Sequence, residues 1–141
     1  FRSSDFGQSW TTTTTPLHYG PSAGVFSLAS RPGGPTIIVG GDYKLIHATA
    51  GNAAISKDDG LTWQAVAQTA SPAGFRSCVA WVPGYPSSWI TVGESGSDCS
   101  NNNGQSWSRI GDRGYHVLGF SPNGVGYAAG AGGRFARLQA R

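Results

Sequence analysis

Apolar residues in this chain come in short runs broken by turn formers, and the runs recur in a fixed order. One kind of run reads Val25-Phe26-Ser27-Leu28-Ala29, Phe75-Arg76-Ser77-Cys78-Val79-Ala80-Trp81 and Tyr115-His116-Val117-Leu118-Gly119-Phe120. A Pro/Gly turn follows each time, as Arg31-Pro32-Gly33-Gly34, Val82-Pro83-Gly84 and Ser121-Pro122-Asn123-Gly124. A second kind of run ends in glycine: Ile37-Ile38-Val39-Gly40, Ile90-Thr91-Val92-Gly93 and Tyr127-Ala128-Ala129-Gly130. A third occupies residues 52–56, 97–100 and 133–138, and a fourth, led by Trp, occupies 10–15, 63–67 and 107–110. Runs of this length between turn signals predict strands. The expected fold is therefore all-β and antiparallel, built from a four-strand unit that repeats.

The third and fourth runs are joined by an octet that occurs three times. Its copies are Ser3-Ser4-Asp5-Phe6-Gly7-Gln8-Ser9-Trp10, Ser56-Lys57-Asp58-Asp59-Gly60-Leu61-Thr62-Trp63 and Ser100-Asn101-Asn102-Asn103-Gly104-Gln105-Ser106-Trp107. The shared pattern is Ser-x-Asp/Asn-x-Gly-x-Ser/Thr-Trp. An Asp or Asn accepts bonds from nearby backbone N–H groups, and a Gly two residues later takes positive φ, so the pair closes a tight hairpin. The hydroxyls tie the two arms, and Trp opens the outgoing strand with a large apolar face. Asp5 and Asp58 are thus expected to be consumed by local hydrogen bonds rather than presented to a substrate. Gly7 and Gly60 stand 53 residues apart and Gly60 and Gly104 stand 44 apart. These intervals match the period of about 40–50 residues seen in radial β-repeats.

Composition agrees with this pattern. Of 141 residues 22 are Gly and 8 Pro, and only 12% are charged, which leaves little room for ordinary helices. Five Trp, six Phe and five Tyr supply the aromatic surface that disordered chains lack. The net charge of +3 is not gathered into a basic stripe beyond Arg134, Arg137 and Arg141, so a nucleic-acid partner is not expected. No stretch approaches ~18 apolar residues, so no membrane span is expected. His18, His47 and His116 show no ligand spacing, and no metal or cofactor is assigned. Cys78 and Cys99 fall on strands separated by another strand, about 9.6 Å apart, too far for a disulfide; both are expected to be buried free thiols.

The octet resembles the Asp-box, or bacterial neuraminidase repeat, of sialidases, sortilin-type receptors and xyloglucan-cleaving glycosidases. The whole chain is most similar to the bacterial photosystem II stability/assembly factor-like proteins, in segments such as Val39-Gly40-Gly41-Asp42-Tyr43, Gly74-Phe75-Arg76-Ser77 and Val92-Gly93-Glu94-Ser95-Gly96-Ser97-Asp98. That resemblance implies a β-propeller whose four-stranded blades carry the box between strands three and four. Ser3, Asp5, Gly7 and Trp10, Ser56, Asp58, Gly60 and Trp63, and Ser100, Asn102, Gly104 and Trp107 are then structural. Residues 1–15 end one blade, 24–67 and 74–110 form two more, and 114–139 give three strands of a last. Three blades cannot close a ring that needs at least four. Lost flanking sequence or a second copy of the chain, in a homo-oligomer, is expected to continue it; an opening Phe1 in place of Met suggests a processed or excised piece.

The resemblance also points to a face for binding. The loops joining strands two to three, and four to the next blade, share the rim opposite the boxes. There the long loop 41–51 brings Asp42, Tyr43, Lys44 and His47, the start of an inner strand brings Arg76, and neighbouring loops bring Glu94, Arg113, Tyr115 and His116. The implied function is a non-catalytic module for a protein or peptide partner, placed outside the cytoplasm. The alternative is a carbohydrate-active propeller, a sialidase-like hydrolase or a lectin for a glycan. Hydrolysis needs two carboxylates at one bond, and Asp42 and Glu94 are the pair to test. An Arg-Ile-Pro segment of the sialidase type is absent from the sequence, and no residue is assigned as catalytic.

Overall fold

The computed structural model describes residues 1–139, so Arg141 of the basic tail lies outside the described residues. Among these residues eleven strands form three antiparallel sheets, each a meander in which successive strands are neighbours. The first sheet comprises β1 (Ala23–Ser30), β2 (Thr36–Asp42), β3 (Ala53–Ser56) and β4 (Gln64–Ala65). The second comprises β5 (Cys78–Trp81), β6 (Trp89–Gly93), β7 (Gly96–Ser100) and β8 (Ser108–Gly111). The third holds β9 (Val117–Phe120), β10 (Val125–Gly130) and β11 (Arg134–Gln139). Two single turns of 3-10 helix, Gln68–Ala70 and Ala131–Gly133, are the only helical segments among the described residues.

The strand-ending glycines are fixed by close approach of backbone. A Cβ on Gly40 would stand 1.9 Å from the Gly24 carbonyl oxygen, one on Gly93 2.2 Å from that of Phe75, and one on Gly130 2.9 Å from that of Gly114. Only a residue without a side chain fits there. The three sites are equivalent, so Val25, Arg76 and Tyr115 occupy one repeat position.

β1 lies against β5, and β5 against β9. Between the first and second sheets, Ile37, Val39, Ala53 and Ile55 meet Val79, Trp89 and Trp107 in the main core. Between the second and third, Val82, Ile90 and Val92 pack with Tyr115, Leu118 and Phe120. On the other face of the first sheet, Ile38 and Ala54 pack with Leu17 and Trp63.

Three expectations are corrected. The first strands of the second and third sheets begin at Cys78 and Val117, because the chain two to three residues before each is bonded outside its own sheet. Phe75 N donates to Ile46 O at 3.0 Å, Arg76 N to Gly40 O at 3.0 Å and Tyr115 N to Gly93 O at 3.0 Å. Residues 10–15 form no strand; a single bridge joins Thr11 to Arg2, since no third strand lies beside them. Cys78 and Cys99, on β5 and β7 with β6 between them, are free thiols but half-buried rather than buried.

Candidate functional site

The octets share one hydrogen-bond pattern. In the first, Gly7 N donates to Ser3 Oγ at 2.7 Å, Ser9 N to Asp5 Oδ1 at 2.9 Å and Ser9 Oγ to Asp5 Oδ2 at 2.6 Å. In the second, Gly60 N reaches Ser56 Oγ at 2.8 Å and Thr62 N reaches Asp58 Oδ1 at 2.8 Å. In the third, Gly104 N donates to Ser100 Oγ and Ser106 N to Asn102 Oδ1, each at 2.9 Å. Gly7, Gly60 and Gly104 have φ of 88°, 83° and 81°. The residue before each is left-handed too, with φ of 56° at Phe6, 57° at Asp59 and 58° at Asn103. Two successive left-handed residues make the tight turn whose twist suits a hairpin.

Hydrogen bonds to the charged form hold the carboxylates at the third octet position well below the usual range. Asp5 is lowered to about 2, chiefly by the Ser9 hydroxyl and amide, and Asp58 to about 2, chiefly by those of Thr62. These acids are committed to hairpins.

Arg76 is fully buried and faces Asp98 on β7, with Nε 2.6 Å and Nη2 2.5 Å from Asp98 Oδ2. Its Nη1 donates to Phe75 O at 2.7 Å and to Ser95 Oγ at 2.8 Å. Burial lowers the Arg76 pKa, while Asp98 opposes that shift. This guanidinium ties the segment before β5 to β7 and is not presented to a ligand, contrary to the expectation that placed it on the binding face. The neighbouring Cys99 thiol has its pKa raised by burial and then by Asp98, so it stays protonated near neutral pH.

The remaining candidates separate into three places. Asp42, Tyr43, Lys44 and His47 cluster at the end of β2, where the Asp42 carboxylate accepts Lys44 N at 2.8 Å and its pKa falls in consequence. Phe26 stands edge-on to Tyr43 at 6.1 Å and to Phe75 at 4.8 Å, giving this corner an aromatic wall. Glu94 and His116 line a groove of about 320 Å3 with Gly114, Ala131 and Arg134. Arg134 donates to Gly114 O at 2.7 Å, with its guanidinium carbon 6.0 Å from the Tyr115 ring centre. Arg113 and Tyr115 line a separate groove of about 390 Å3 between the second and third sheets. Arg134 was visible in the sequence only as part of a basic tail. Its place in the groove depends on the turn Ala131–Gly133, in which Gly132 and Gly133 take φ of 66° and 71°.

Among the described residues no three His, Cys, Asp or Glu side chains converge, and no helix is long and apolar enough to cross a membrane. Comparison with protein-family models, with curated proteins and with solved structures yields no match. What is established is the class: an all-β chain of three repeated antiparallel sheets.

Proposed function

We propose that the chain is part of an Asp-box β-propeller of the sialidase-like, photosystem II assembly factor-like kind, and that it is a non-catalytic module binding a protein or peptide. The observation that carries the binding role is the groove where Glu94 from the β6–β7 turn, His116 from the segment before β9 and Arg134 from the start of β11 meet. It offers an anion, a cation and an imidazole within one short-peptide-sized recess, which suits charged and amide groups of a polypeptide. The other carboxylates support this reading over glycoside hydrolysis. Asp5 and Asp58 are held in octets, Asp98 by Arg76, Asp112 by Arg109 at 2.5 Å and Asp42 by the Lys44 amide at 2.8 Å, Asp59 lies at the octet rim, and Glu94 is the one carboxylate lining this groove among the described residues.

The open edges of the outer sheets favour completion of the ring by further strands, from flanking sequence or from a second copy. Peptide-library selection against the chain tests the binding role. Selected peptides are expected to bind at least about tenfold more weakly to the His116→Ala/Arg134→Ala double variant, the loss typical of charge-assisted contacts. Turnover of fluorogenic glycosides that disappears in Glu94→Gln would replace this reading with a glycosidase. The wall of Phe26 and Tyr43 favours a lectin as the second reading, and glycan binding lost in Tyr43→Ala would establish it.

A further inference from the structure

A second cavity, of about 760 Å3, lies at the octet rim, at the opposite end of the sheets from Glu94. It is the cleft between the first and second sheets, walled by the 30–36 turn and by the second and third octets. The recurring octet positions are occupied with their own hairpins. The positions that vary, Lys57 and Asp59 in the second octet and Asn103 and Gln105 in the third, line this cleft together with Arg31. The scaffold is constant, and the residues that vary are the ones a ligand would meet.

Two polar atoms in this lining are buried without a hydrogen-bond partner, Arg31 Nε and Asn103 Oδ1. They come from different sheets and are complementary, one a donor and one an acceptor. The Arg31 backbone is fixed by its turn, with Arg31 N donating to Pro35 O at 3.2 Å and Gly34 N to Arg31 O at 2.9 Å. Its guanidinium lies along that turn; a Cβ on Gly34 would come within 2.4 Å of Arg31 Cζ. A buried polar group left unmatched destabilises a fold by about 1–3 kcal/mol, so a group from outside that supplies both partners is favoured there.

We propose that this cleft binds a short peptide segment through one carboxylate. Arg31 and Lys57 are its cationic partners, and Asn103 Oδ1 accepts an N–H of the ligand. Asp59 stands in the same lining and disfavours a second carboxylate. The volume is in the range of sites that hold small ligands. The first octet has Ser4, Phe6 and Gln8 at the corresponding positions, none of them charged, so the site belongs to the second and third octets.

The test is an NMR titration of the full chain with N-acetyl-Ala-Glu-Ala-amide, its Gln counterpart and acetate. The Glu peptide is expected to shift the Arg31 Nε–H and the Asn103 side-chain amide saturably, with a Kd of about 1 mM, a value appropriate to one charge-assisted pair. The Gln peptide and acetate are each expected to bind at least about tenfold more weakly. Lys57→Met and Asn103→Asp are expected to weaken the Glu peptide severalfold while other resonances stay in place. Asp is tolerated at that backbone geometry, as Asp59 shows at φ 57°. Glu94→Gln is expected to leave binding unchanged, which separates this cleft from the opposite groove. Equal binding of the Glu and Gln peptides, acetate as tight as the Glu peptide, or no shift at all would overturn the assignment.

Discussion

The first and third octets have the same hydrogen bonds from their backbone amides and indoles and opposite surroundings. Trp10 Nε1 donates to Gly7 O at 3.0 Å and Trp107 Nε1 to Gly104 O at 3.1 Å, yet Trp10 is 60% exposed and Trp107 only 8%. The difference lies outside the octets. Gly104 packs onto Ile37 and Ile55 of the first sheet, and Trp107 N donates to Ala70 O at 2.9 Å, whereas Gly7 meets only its own Trp10. The octet thus shapes a hairpin by itself, and its contribution to stability is set by the sheet beside it.

The largest effect that separates the two is loss of the indole. Trp107→Ala is expected to destabilise the chain by about 3–5 kcal/mol in urea unfolding, as a large buried aromatic does. Trp10→Ala, in dilute solution, is expected to change stability by about 0.5 kcal/mol or less; equal effects would break the comparison. A similar contrast sets the second sheet against the first. Arg76 and Asp98 stand where the first sheet has Val25 and Ala54, by the equivalence of the strand-ending glycines and of the octets. Arg76→Val alone strands a buried carboxylate and is expected to cost about 3 kcal/mol or more. Adding Asp98→Ala, which restores the first sheet's solution, is expected to recover most of it; a double variant no better than the single would show that the pair has a role the repeat does not explain.

A smaller contrast concerns the octet glycines. A Cβ on Gly104 would sit 2.5 Å from Ile37 Cδ1, while one on Gly7 would meet nothing closer than 3.5 Å. Both substitutions to Ala incur the left-handed penalty of about 1 kcal/mol or more. Gly104→Ala is expected to exceed Gly7→Ala, because the clash adds to it, and denaturation midpoints would show the order.

The smallest effect is protonation. The folded pKa values of Asp5 and Asp58 lie at about 2, below the unfolded value of about 3.9. The stability these carboxylates contribute is therefore complete above about pH 4 and is lost as pH falls toward about 2. Asn102 does not titrate. In NMR spectra the Ser9 and Thr62 amides are expected to move with midpoints near 2, while the Ser106 amide stays still; a matching titration at Ser106 would contradict the assignment.

The repeat was legible in the sequence because its chemistry is local. Ser3, Asp5, Gly7 and Ser9 bond within four residues of one another, so composition and spacing carry the whole message. What escaped depends on contacts across the chain. Arg76 reads as a cation of the binding face until Asp98, 22 residues on, is placed against it. Phe75 and Tyr115 look like strand residues until their amides are found bonded to the β2–β3 loop and to β6. Arg31 gives no signal as a site residue, since its orphaned Nε and that of its complement, Asn103 Oδ1, are known only once two sheets meet. Residues 10–15 have the composition of a strand but lack a neighbour along which to pair.

Native-state hydrogen exchange at the amides of Gly7, Gly60 and Gly104 tests the central claim most directly, since each donates to the Ser hydroxyl that opens its octet. If the octet is a local device stabilised by the adjoining sheet, Gly104 exchanges slowest and with the urea dependence of global unfolding, and Gly7 fastest with none. Equal protection at all three, with a common urea dependence, would contradict it.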